Sequence, residues 1–187
     1  MPPSASEVAA SYRPLGDPTV MSNSATMNIA GLAVPKVNAA TLMTIVLAGA
    51  MATVAFDFFG QSLSPMLGFS KLAPVPLANA VISVLFGQGY GPGAHFLHYM
   101  AGLIAYPVGW MFIAKPVADK VMPGLPWLVS SAVYGVVLWV FALYIMAHLV
   151  AGNPPFLGFT GITWVALVGH VVFAVVAAWI VRWREGA

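Results

Sequence analysis

Apolar positions fall into four long runs, at about 38–59, 94–114, 127–151 and 161–181, each bounded by glycine, proline or charge. A helix rising 1.5 Å per residue needs about 20 such residues to cross roughly 30 Å of hydrocarbon. Backbone N–H and C=O groups in lipid must be satisfied within the segment, so each run is expected to be a spanning helix. A shorter run, Pro74 to Phe86, lies between the first two and is opened by Pro74 and Pro76. It is too short to cross, and proline is tolerated in the first turn of a helix, so a short interfacial or re-entrant helix is expected there. The predicted fold class is all-α: an integral membrane four-helix bundle with one additional short helix between spans one and two.

Ahead of the first run the pattern changes. Residues 1–37 are rich in Ser, Ala, Pro and Asn and read as a flexible cytoplasmic tail, leaving 38–187 as the membrane domain. A basic start, an apolar core and a small-residue cleavage site do not follow one another there, so no secretory signal is expected, and Met21 and Met27 offer alternative starts.

Composition strengthens the membrane reading. Seven Lys or Arg and five Asp or Glu make 6% of the 187 residues, whereas 60% are apolar. Soluble domains carry about 25% charged residues because their exteriors need them, so a surface this poor in charge suits lipid as its solvent. The absence of cysteine excludes disulfides, thiolate metal ligands, iron–sulfur clusters and a cysteine nucleophile. Basic residues are few and scattered, so nucleic acid is not an expected partner. Once the spans alternate sides, Arg13, Lys36, Lys115, Lys120, Arg182 and Arg184 share one side and Lys71 falls opposite. The positive-inside rule makes the first side cytoplasmic, with both termini inside a bacterial inner membrane and Trp127, Trp183 and Tyr90 as interfacial anchors.

Five ionisable residues fall within or at the ends of the spans: Asp57, His95, His98, His148 and His170. On span two, His95, His98, Gly102, Ala105 and Gly109 recur at steps of three and four and form one small, polar stripe, expected to face the bundle. His170 shares a face with Thr163, Ala166, Ala174 and Ala177, and Asp57 continues a stripe through Gly49 and Thr53, so both are expected to point inward. His148 lines up with the bulkier Phe141 and Tyr134. A carboxylate in a span costs about 2.5 to 3.5 kcal/mol at the helix centre and less near the interface, so Asp57 calls for a partner, and a histidine is the obvious one. Two chemistries fit these residue types. Asp57, His95, His98 and His148 are candidate ligands of a transition metal. His95, His98 and His170 are candidate ligands of a haem b, with two of them axial. The plainer alternative is that the histidines cap helix ends, sit at headgroup level or hydrogen-bond across helices.

Gly87 to Gly93 reads Gly-Gln-Gly-Tyr-Gly-Pro-Gly, but it lacks the glycine spacing of a dinucleotide loop and the Gly-Lys-Ser/Thr of a P-loop, so it is read as a hinge into span two. Pro107 inside that span predicts a kink. No Ser-His-Asp order or paired intramembrane carboxylates stand out, so no catalytic residue is assigned. Internal duplication and matched broken helices, frequent in secondary transporters, are also missing.

The run Thr53-Val-Ala-Phe-Asp57-Phe-Phe-Gly60, followed by His98-Tyr99, Gly102 and Trp110, resembles the YagU-like bacterial inner-membrane proteins. The likeness covers about a third of the chain. It implies a small multi-span membrane protein with an acid in span one and a histidine opening span two. Three functions remain open: an accessory or assembly subunit of a larger inner-membrane complex, respiratory or photosynthetic, with the bilayer and other integral subunits as partners; a haem- or metal-binding protein of electron transfer or oxidation; and a small transporter or channel.

Overall fold

The computed structural model describes residues 26–186, and the first 25 residues of the expected tail, Arg13 and Met21 among them, lie outside the described residues. Among the described residues five helices of ten residues or more build the fold: α1 (Ala39–Met66), α2 (Pro74–Phe86), α3 (Gly91–Val121), α4 (Trp127–Val150) and α5 (Gly161–Glu185). All but α2 are long and apolar enough to cross a membrane, so the architecture is the all-α four-helix bundle of a multi-pass membrane protein.

Local chemistry sets the ends. Asn38 caps α1, its side-chain oxygen accepting from the Thr41 N–H at 2.9 Å, and the Thr41 hydroxyl donates back to Lys36 O at 2.6 Å. Gly87, in the left-handed region at φ 79°, closes α2, and Gly186, also at φ 79°, closes α5. Three of the spans contain wide π turns: Phe59–Leu63 in α1, Ala101–Ala105 and Trp110–Ala114 in α3, and Phe141–Val150 in α4. The wide turn in α1 carries that helix on past Phe59, where the apolar run seemed to stop, to Met66.

Helix α5 lies at the centre of the packing, against α1 on one side and α4 on the other, and α1 in turn packs on α3. Small residues let these backbones close up. A Cβ on Gly135 of α4 would sit 2.6 Å from Val171 Cα of α5, and one on Gly49 of α1 would run into the backbone of Leu103 of α3. Helices α3 and α4 meet at one end of the bundle, where Trp110 packs on Tyr134 and the Tyr134 hydroxyl donates to Tyr106 O at 2.7 Å. At the other end α2 packs on both α3 and α4, burying Ala78, Val81 and Ile82.

Part of the expected tail is ordered. Thr26–Ile29 (β1) and Leu32–Pro35 (β2) pair antiparallel across Ala30 and Gly31, with φ of 53° and 77°. Two consecutive left-handed residues make the tight turn whose twist suits a hairpin. Asn28 steadies it by accepting from the Gly31 N–H at 2.9 Å. The hairpin leans on the end of α3, where Lys120 Nζ donates to Ala30 O at 3.4 Å and Val34 is buried. Residues 26–35 are therefore a clasp on the bundle instead of flexible chain.

Candidate functional site

Along the α1–α3 contact the two helices run antiparallel, and three residues of α1 meet three levels of α3. Gly49 faces the Leu103 backbone, and Thr53 faces Gly102, where a side chain would strike the Thr53 hydroxyl. One turn further Asp57 faces His98. The small residues at the first two levels bring the helices close enough for the third pair to touch.

His98 Nε2–H donates to the Asp57 carboxylate, 3.2 Å from Oδ1 and 3.3 Å from Oδ2. Gln61, one turn on from Asp57 and within the wide turn of α1, donates from Nε2 to the same Oδ1 at 2.7 Å. Two donors, one from each helix, thus hold one carboxylate. The His98 and Asp57 side chains are 12% and 23% exposed, so the pair is only partly buried. Below it Phe56 packs edge-on to His170, ring centroids 5.1 Å apart, and lies 6.4 Å from His98. His170 is buried, and its Nδ1–H donates to Ala166 O at 2.7 Å, which leaves Nε2 as an acceptor. Gly169, where a side chain would press on Phe56 and Leu72, makes room for that ring.

The other two histidines go elsewhere. His95 is exposed and stacks on Tyr99 at 6.4 Å. His148 Nδ1–H donates to Asn153 O at 2.7 Å, and Asn153 Nδ2 returns a bond to Ala147 O at 3.0 Å, so this histidine helps close the end of α4. The inward stripes expected on α1 and α5 are present: Gly49 and Thr53 are buried, as are Thr163, Ala166, His170, Ala174 and Ala177. On α3 the expected stripe fails in part. The seam runs through Ala94, His98, Gly102, Pro107 and Met111, stepping by four, four, five and four, and leaves His95 and Ala105 outside. The step of five falls at the first wide turn, which no uniform helical period reproduces.

Of the proposed metal ligands Asp57, His95, His98 and His148, only Asp57 and His98 come together. Among the described residues no three His, Asp or Glu side chains group as a metal site. Of the proposed haem ligands, His98 and His170 flank Phe56, whereas His95 faces away. What the Asp57–His98–Gln61 arrangement can do is hold and exchange a proton between two helices, since a carboxylate and an imidazole share it at hydrogen-bond distance. Gln61 was not among the residues expected here; its signal is its position four residues after Asp57 on the same helical face.

Comparison with protein-family models, with curated proteins and with solved structures finds no match.

Proposed function

We propose that this chain is a small accessory or assembly subunit of a larger complex in a bacterial inner membrane, and that it docks through the outer face of α3. One observation supports this above the others. Only 22% of the most apolar stretch of α3 is buried within the chain, against 44%, 33% and 56% for α1, α4 and α5. Yet α3 carries more polar chemistry than its neighbours, and its outer face presents His95 and Tyr99, both exposed. Polar side chains on a membrane helix favour a protein partner over lipid, so a second integral membrane chain is the natural cover. Extramembrane structure among the described residues amounts to one hairpin and short connections, which also suits a subunit that acts through its neighbours. The spread of basic residues along the sequence supports cytoplasmic termini on this reading.

Photo-crosslinkers at Tyr99 and Ile104 test it in native membranes, with Val54 on the exposed face of α1 as the control position. The expected result is a defined adduct with another membrane chain from the α3 positions and none from Val54. Release of the chain from its own membrane at its bare mass, with lipid adducts alone from all three positions, refutes it.

A second reading, a small proton-linked carrier, is favoured by one specific feature: the Asp57–His98 bond joins two different helices, so a change of protonation there would alter their attachment. Asp57→Asn in proteoliposomes tests it. A pH-driven flux that survives the substitution, or no flux under any gradient, removes this reading.

A further inference from the structure

The bundle end opposite the Asp57–His98 pair holds a second polar constellation, and its donors outnumber its acceptors. The carboxylates there are engaged by one lysine: Lys115 Nζ lies 3.2 Å from Asp119 Oδ2 and 4.0 Å from Glu185 Oε2. Arg182 of α5 is different. Its guanidinium lies over the Trp127 ring at 5.4 Å, and among the described residues no carboxylate lies within 4.0 Å of it. Together with Trp110, Lys115, Asp119, Trp127 and Ser130 it lines a cavity of about 150 Å³. Trp110 is 3% exposed, and its indole N–H is buried without an acceptor.

The guanidinium lines this cavity with no carboxylate within 4.0 Å among the described residues, so the cavity calls for an anionic acceptor. Water would leave the Arg182 charge unanswered. A single anionic oxygen group answers it. The guanidinium suits phosphate in particular, because its planar fork matches two oxygens at once while its face stays on the tryptophan. Tryptophan and basic side chains at the end of a spanning helix also lie at the depth of lipid headgroups. We infer that the Trp110–Trp127–Arg182 cavity binds a phosphate oxyanion, supplied in the membrane by the headgroup of an anionic phospholipid. Lys115, already flanked by two carboxylates, contributes position more than charge. One guanidinium charge fits one phosphodiester.

The test uses the full chain, delipidated in detergent and titrated separately with phosphatidylglycerol, phosphatidylcholine and inorganic phosphate at constant ionic strength. Thermal unfolding and native mass spectrometry are the readouts. Phosphatidylglycerol is expected to raise the unfolding temperature and to give a one-lipid mass adduct, with phosphatidylcholine weaker. Arg182→Gln should weaken that binding about tenfold, the factor lost with one charge-assisted hydrogen bond. Arg184→Gln, on the same helix but bonded to Thr44, should leave it unchanged. Stabilisation by inorganic phosphate, lost in Arg182→Gln, identifies a free anion as the source and keeps the oxyanion site. Equal binding of both lipids with no response to phosphate overturns the inference, as does undiminished phosphatidylglycerol binding by Arg182→Gln. Arg182 is half-buried, so its replacement by Gln leaves the packed core untouched.

Discussion

Replacing Gly49 by alanine tests the closeness of α1 and α3 on which the Asp57–His98 bond depends. The added Cβ would lie 2.6 Å from both the Leu103 carbonyl carbon and Cα, where ordinary contact begins at 3.4 Å. Those atoms are backbone and cannot swing aside, so the helices must part by roughly 1 Å, an overpacking that costs about 1 to 3 kcal/mol. Leu103 is also the residue whose carbonyl an α-helical register would pair with residue 107, and Pro107 has no N–H to give. The glycine Cα–H packed on that carbonyl is a weak substitute that separation would remove. Two turns along, the His98–Asp57 bond is already 3.2 Å, and stretching it forfeits about 0.6 to 1.7 kcal/mol, the range for interhelical hydrogen bonds in membranes. The expected loss is therefore about 2 to 4 kcal/mol. Detergent-driven unfolding in mixed micelles, followed by circular dichroism, measures it. Gly91→Ala, where an added Cβ meets nothing within 4 Å, is the control and should stay within about 0.5 kcal/mol of the parent. His98→Ala should cost less in the Gly49→Ala background than alone, because the contact it removes is already weakened. A Gly49→Ala protein as stable as the parent, with the His98 effect unchanged, refutes the close approach.

Four further outcomes follow from the same geometry. A double-mutant cycle of Asp57→Asn and His98→Ala should give a coupling of about 0.5 to 2 kcal/mol in the same unfolding assay, and additivity would mean the two side chains do not interact. Gln61→Leu should cost about 1 kcal/mol in the presence of Asp57 and nearly nothing after Asp57→Asn has weakened the acceptor; equal losses would detach Gln61 from the site. Tyr134→Phe, which removes the donor to Tyr106 O, should lower stability by about 1 kcal/mol without changing lipid or partner binding, as native mass spectrometry would show. Gly158→Ala, at φ 69° with open space around it, should cost about 1 to 2 kcal/mol through backbone conformation alone, and no change in unfolding would mean the turn relaxes.

The spanning helices and α2 were legible in the sequence because lipid leaves the backbone one local solution and length then decides what crosses. Inward stripes were legible where the helix is regular: on α5, Thr163, Ala166, His170, Ala174 and Ala177 keep one α-helical seam, and all five are buried. On α3 the same reasoning put His95 and Ala105 in line with His98; His95 fails because the seam there steps by four, through Ala94 and His98, and Ala105 because the wide turn adds a residue. The partner of Asp57 was legible as a histidine, but which histidine depends on the depth at which α1 and α3 meet, set by Gly49 and Gly102. The hairpin is masked in the sequence because Ser, Pro and Asn dominate the residues before it, although Met27, Ile29, Leu32 and Val34 alternate on either side of the turn. Nothing local announces the turn at Phe156, Leu157, Gly158 and Phe159, all with positive φ. Three of the four are residues that disfavour it, and it is held from outside, by the Thr163 hydroxyl on Phe156 O at 2.5 Å and by Trp139 against the Phe156 ring.

The five-residue step between Gly102 and Pro107 divides α3 into two angular frames. A chain of this architecture one residue shorter between those positions would place every inward group where it sits now, with an unbroken turn in place of the wide one. Counterparts from other genomes should therefore be matched to this one in two blocks, 94–102 and 107–111, with the gap placed between them. An alignment forced through without that gap would set Pro107, Trp110 and Met111 against the wrong residues and hide the shared face.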